Sequence, residues 1–200
     1  MFNSITILKL LLDKIKKCDI CIEHLAFGPR PVVTGHPDAS IVIIGQAPGT
    51  KVHASGIPWD DASGKQLRNW MQVSNEVFYD ETKIAIVPMG FCYPGKAKSG
   101  DLPPRKECAP QWHEALLERM PKVKLIILIG MYAQKYYLKE QAKKTLTETV
   151  DSYLEYLPKY FALPHPSPRN RFFLTKNPWF VKEVVPQLQQ KIAEILEVSE

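Results

Sequence analysis

Apolar residues gather in four short runs, separated by stretches in which they recur with a helical period. The runs are Ile41–Gly45 (IVIIG), Lys83–Pro88 (KIAIVP), Lys124–Gly130 (KLIILIG) and Tyr160–Leu163 (YFAL). A strand with one wet face would carry a polar residue at every second position. Three of these runs are nearly unbroken, which predicts strands covered on both faces, as in a parallel sheet. Helical spacing between them predicts helices over about Gly64–Met71, Pro110–Met120 and from Met131 through Gln141. Near the N-terminus Ile5, Leu8, Leu11, Leu12 and Ile15 share one helical face, with Lys9, Asp13, Lys14 and Lys16 on the others. Residues 139–152 are polar and read as a solvent-facing helix. A last helix is expected from Asn177, with Pro178 in its first turn and a stripe of Val181, Val184, Val185, Leu188, Ile192 and Ile195. Pro186 inside it predicts a kink.

Strands alternating with helices give an α/β fold with an open parallel sheet. Ligands of such sheets bind beyond the carboxyl ends of the strands. Here the segments that follow the strands are GQAPG (45–49), MGFCYPGK (89–96) and PHPSPRN (164–170). Three polar loops at one sheet edge predict a site.

The 200 residues are 45% hydrophobic, enough for one domain over 1–200 that buries roughly 70% of its unfolded surface. No repeat or linker divides the chain. The formal net charge of +5 suits a polyanionic partner, and equally a solvated basic surface. The N-terminal segment lacks the layout of a secretory signal. No apolar run approaches the roughly 20 residues of a membrane span. The expectation is a soluble, cytoplasmic protein, in which cysteines serve metal binding or reactivity before disulfides.

The cysteines are Cys18, Cys21, Cys92 and Cys108, with 2, 70 and 15 residues between successive members. Four thiolates can hold zinc or an iron–sulfur cluster; scattered buried thiols are the alternative. A metal would staple the loop between Cys92 and Cys108 to the first helix. That loop carries Lys96, Lys98, Arg105 and Lys106 against Asp101 and Glu107. Held rigidly, its basic groups could meet a phosphate backbone.

These cysteines, GQAPG, G-x-P-W-x-x-x-S-G (Gly56, Pro58, Trp59, Ser63, Gly64) and HPSPRN (165–170) occur together in this order. In that combination the chain resembles the uracil-DNA glycosylase superfamily, most closely its iron–sulfur branch (family 4), over roughly residues 18–185. The resemblance implies a three-layer α/β/α sandwich around a four-stranded parallel sheet. It implies a [4Fe–4S] cluster on Cys18, Cys21, Cys92 and Cys108, with zinc as the alternative. It also implies removal of a damaged base from DNA; separately, one compact domain with a DNA-facing edge points to a monomer. A base in a duplex cannot be attacked, so such enzymes extrude it into a pocket. Trp59 would be the stacking wall, or else plain core. Gly45 and Gly49 would let the backbone turn and approach the ligand, and Gln46 and Ala47 would bind the base edge. His165 would donate to the departing base, worth about 3–4 kcal/mol for one good donor. Ser167 would hold a phosphate, Arg169 would fill the vacated helix, and Arg171 would contact the backbone beside Lys96 and Lys98.

Three positions depart from the family pattern. Gln46 replaces a glutamate, and glutamine can orient water without taking its proton. Pro88 stands where an asparagine would read the uracil edge. Asp60 and Asp61 follow the aromatic, where the family has apolar or small residues. Either aspartate could activate water or stabilise the sugar cation; equally, they could cap the helix that follows. The leading expectation is a monofunctional glycosylase for uracil or another deaminated base. A module that binds damaged or single-stranded nucleic acid without cutting it is the alternative, and a zinc-stabilised nucleoside hydrolase the third.

Overall fold

The computed structural model describes residues 3–197; the ends of the 1–200 span lie outside them. Strands β1 (Ile41–Ile44), β2 (Ile84–Ile86), β3 (Leu125–Ile129) and β4 (Tyr160–Leu163) form one parallel sheet in the order β2-β1-β3-β4. Register is set by Ile41 opposite both Ile84 and Leu125, and by Ile126 opposite Tyr160. The helices are α1 (Ser4–Lys16), α2 (Thr50–Ser55), α3 (Ala62–Met71), α4 (Asn75–Phe78), α5 (Cys108–Glu118), α6 (Met131–Leu138), α7 (Leu146–Asp151), α8 (Arg171–Lys176) and α9 (Val185–Glu197).

The unbroken apolar runs are explained by layers on both sides. Alternate strand residues, among them Val42, Ile44, Ala85, Ile126 and Leu128, pack with Leu8 and Ile15 of α1, Trp112 and Leu116 of α5, and Leu138 of α6. Their neighbours Ile41, Ile43, Ile84, Ile127 and Phe161 pack with Leu67 and Met71 of α3 and Leu188 and Ile192 of α9. Each such Val, Leu, Ile, Met or Phe side chain contributes about 1.5–3 kcal/mol through burial. The result is the α/β/α sandwich around four parallel strands. Among the described residues no helix is long and apolar enough to cross a membrane.

Some elements differ from the sequence expectation. The helix expected over 139–152 is broken. Lys139 adopts φ 51° and ψ −123° and ends α6, and α7 starts afresh at a capping box in which Thr145 and Glu148 satisfy each other's backbone N–H. Thr149 and Val150 are buried, so α7 is not a solvent-facing helix. The Pro186 kink takes the form of one wide π turn over Phe180–Val184, in which the Val185 N–H bonds to the Phe180 carbonyl. Proline lacks an N–H and crowds the carbonyl four residues back, and the wider turn relieves both. Val181 is consequently 50% exposed rather than part of the stripe. The short helices α2 and α4 were not expected. Helix α2 has no side-chain N-cap, and its last carbonyls, those of His53 and Ala54, are met by the distant Arg30 guanidinium.

A polar pair, His113 and the half-buried Tyr137, sits beside the end of β2. His113 of α5 is 2% exposed, lies parallel to Phe91 and places Nε2 3.1 Å from the Pro88 carbonyl. A carbonyl only accepts, so Nε2 carries the proton and Nδ1 accepts from the Tyr137 hydroxyl at 2.6 Å. Burial pushes the imidazole down from 6.5 to about 4. Between those two values the unfolded chain binds the proton and the folded chain does not, so stability falls as pH drops through that window. The full window corresponds to about 3 kcal/mol. Urea midpoints at pH 7.5 and 4.5 should show this loss, and His113→Gln should flatten it.

Candidate active site

The carboxyl ends of the strands open into a cavity of about 420 Å³. Its floor continues the sheet: the Met89 N–H bonds to the Gly45 carbonyl at 2.8 Å, and the Gly90 N–H to that of Gln46 at 2.9 Å. Loops after β1, β2 and β4 all line it, as the three polar loops predicted.

Trp59 forms a wall of the cavity and is only half-buried, so it is not plain core. It holds a left-handed φ of 58°, a strained setting for a bulky side chain. Two glycines make room for it. A Cβ on Gly45 would stand 2.7 Å from the Trp59 ring, and a Cβ on Gly64 would stand 1.8 Å from the Trp59 carbonyl oxygen. The glycines of GQAPG were expected to turn the backbone. Gly45 is instead required by the indole lying on it, and Gly49 holds an extended φ of −87°. Gly64→Ala should therefore expel Trp59 from its place. We expect about 3 kcal/mol of lost stability, measured by urea unfolding, and a change in tryptophan fluorescence.

His165 faces Trp59 with ring centroids 5.8 Å apart. The loop holding it is tied by the Asn170 side-chain amide, which donates to the His165 carbonyl at 2.8 Å. Desolvation lowers its pKa, opposed by the negative charges of Asp61 and Asp101. The ring is neutral at pH 7 and offers an N–H donor without a full charge.

The remaining catalytic candidates separate clearly. Gln46 and Ala47 line the cavity, and the Gln46 amide reaches the Leu102 carbonyl at 3.5 Å. Pro88 also lines it and presents no donor. Asp61 lines it but spends Oδ1 on the N-cap of α3, accepting from the Gly64 N–H at 2.8 Å. Asp60 is exposed and does not line the cavity. Asp101, not singled out from the sequence as a site residue, lines the cavity beside Lys96.

Of the groups expected at DNA, Ser167, Arg169 and Lys96 reach the cavity. Ser167 also accepts from the Arg169 N–H at 3.2 Å, shaping the turn there. Arg169 is exposed at the mouth, where a Cβ on Gly100 would be 3.9 Å from its guanidinium. Lys98 is exposed on the loop without lining the cavity. Arg171 begins α8 and lines a neighbouring cavity of about 350 Å³ instead.

The cysteines, 70 residues apart at their widest sequence gap, line one small, mostly apolar cavity with Leu25, Pro31, Phe91 and Arg105. They are reduced. Among the described residues no three His, Cys, Asp or Glu side chains are drawn together closely enough to hold an ion as they stand. Burial, with repulsion between neighbouring thiolates, pushes Cys92 to about 11 and Cys108 to about 12. Backbone hydrogen bonds from Arg30 to Cys92 and from Phe91 to Cys108 oppose the rise. The donor set is four sulfurs in a small pocket, with backbone N–H groups directed at Cys92 and Cys108 and the Arg105 guanidinium at Cys21.

A family model described as the uracil DNA glycosylase superfamily matches residues 32–189.

Proposed function

The chain belongs to the uracil DNA glycosylase superfamily, and from that premise we propose that it hydrolyses the N-glycosidic bond of uracil or another deaminated base in DNA. The observation that carries the reading is one cavity in which an aromatic wall, a neutral histidine and the backbone of Gln46 and Ala47 converge. An extruded base stacks on Trp59. Bond cleavage leaves negative charge on the base, and the His165 N–H meets it as a fixed donor. Arg169 and Lys96 stand at the mouth to take phosphates.

We assign Cys18, Cys21, Cys92 and Cys108 to a [4Fe–4S] cluster, with zinc as the alternative. When bound, that group supplies a covalent staple between the 18–21 segment and both ends of the 92–108 loop. The sulfur donors and the apolar cavity support this assignment.

Oligonucleotides carrying uracil, hypoxanthine or xanthine, scored for alkali-labile abasic product, test the reading. Product from at least one is expected. Pro88 and Gln46 favour the second reading, a module that binds without cutting. Salt-sensitive binding without abasic product would establish it.

A further inference from the structure

We infer that Asp101 is the carboxylate that positions the attacking water and takes its proton; this rests on the glycosylase reading. Hydrolysis needs a group that accepts a proton as water joins the sugar, and the amide at Gln46 has no such capacity. Three carboxylates near the cavity could supply it. Asp60 lies outside the cavity and is exposed. Asp61 is held by the helix cap, with Oδ1 already accepting from Gly64. Asp101 lines the main cavity and also an adjoining space of about 300 Å³ that reaches His165 and Arg169. It forms no ion pair among the described residues, and its negative charge, like the larger effect of Asp61, opposes the lowering of the His165 pKa.

The loop that carries Asp101 is built to hold it still. Asp101 pairs with Lys96 in an antiparallel bridge, the Leu102 N–H bonds to the Gly95 carbonyl at 2.8 Å, and the Ala97 N–H bonds to that of Gly100 at 3.1 Å. The carboxylate stands over the GQAPG turn, with Oδ2 3.6 Å from where a Gly49 Cβ would lie. Gln46 now has a use that a glutamate could not fill. Its amide donates toward the carbonyl of Leu102, the residue next to Asp101. A carboxylate at position 46 would repel both that carbonyl and Asp101. Gln46 and Asp101 therefore form a matched pair: the amide fixes the loop, and the loop brings the base.

In the step, the bond between C1′ and the glycosidic nitrogen breaks and its electron pair leaves with the base. The base carbonyl accepts the His165 N–H. The water oxygen bonds to C1′, and one water proton passes to the Asp101 carboxylate and then to the released base. One water and one nucleotide thus give an abasic sugar and the free base.

The test is single-turnover base release from an oligonucleotide that the wild-type protein cleaves, compared for Asp101→Asn, Asp101→Glu and Asp60→Asn. Asp101→Asn should slow release about 100-fold or more. It should also bind that DNA as well as the wild type or tighter, because a negative charge facing the polyanion is gone. Asp101→Glu should recover part of the rate, and Asp60→Asn should keep it. The residue is exposed, so the thermal midpoint of Asp101→Asn should match wild type. Release by Asp101→Asn within a few-fold of wild type would overturn the assignment while leaving the glycosylase reading intact. Wild-type protein that releases no base from any oligonucleotide would overturn both.

Discussion

Replacing His165 with alanine should slow base release by about 100- to 1,000-fold, the typical loss of one fixed donor to developing negative charge. The size follows from the setting. The ring is desolvated, which lowers its pKa, so it meets the base as a neutral donor. It is held 5.8 Å from the Trp59 ring and its loop is tied by Asn170, so little reorganisation is required during reaction. Asp61 and Asp101 oppose the lowering, and the neutral form still prevails at pH 7. Single-turnover rates on a cleaved oligonucleotide check this. His165→Gln, which keeps an N–H donor, should lose less than His165→Ala. DNA affinity should change little in both, because the donor acts on charge that appears only as the bond breaks.

Replacing Cys108 with serine should cost the protein its colour, its loop and its activity together. Cys108 opens α5, and with Cys92 it brackets the loop that carries Lys96 and Asp101 to the cavity. That loop has little apolar surface of its own to order it: Lys96 to Ser99 and Asp101 to Pro103 are exposed. Binding of a structural metal is folding free energy, so loss of a ligand should remove on the order of 5 kcal/mol and lower the thermal midpoint by about 10–20 °C. Wild-type protein purified without oxygen should be brown and contain iron and sulfide. Cys108→Ser should be colourless, with base release reduced in parallel. A colourless wild type containing zinc would replace the cluster with zinc and leave the stability prediction standing.

Much of this was legible in the chain. The unbroken runs IVIIG and KLIILIG mark strands covered on both faces, and the sheet has that form. The glycine, proline and histidine loops after the strands converge on one cavity. The less legible parts depend on three-dimensional neighbours. Nothing in the local sequence of Gly45 says that an indole 14 residues further on will rest against it. Helix α2 is capped at its end by Arg30, which lies before β1 in the chain. Asp101 sits in a charged loop whose approach to GQAPG depends on its pairing with Lys96 and on the Gln46 contact. The capping box at Thr145 and Glu148, by contrast, was readable, and it marks the break in the segment expected to be one helix.

Base release by this site requires the extruded base to lie against Trp59 and Gly45. A structure with an oligonucleotide carrying 2′-fluoro-deoxyuridine, whose fluorine slows loss of the base, tests this most directly. The uracil ring should be turned out of the DNA and stacked on Trp59, with the His165 N–H at a carbonyl oxygen and an ordered water between Asp101 and C1′. A base that stays in the stack, or binds the protein away from Gly45 and Trp59, would contradict it.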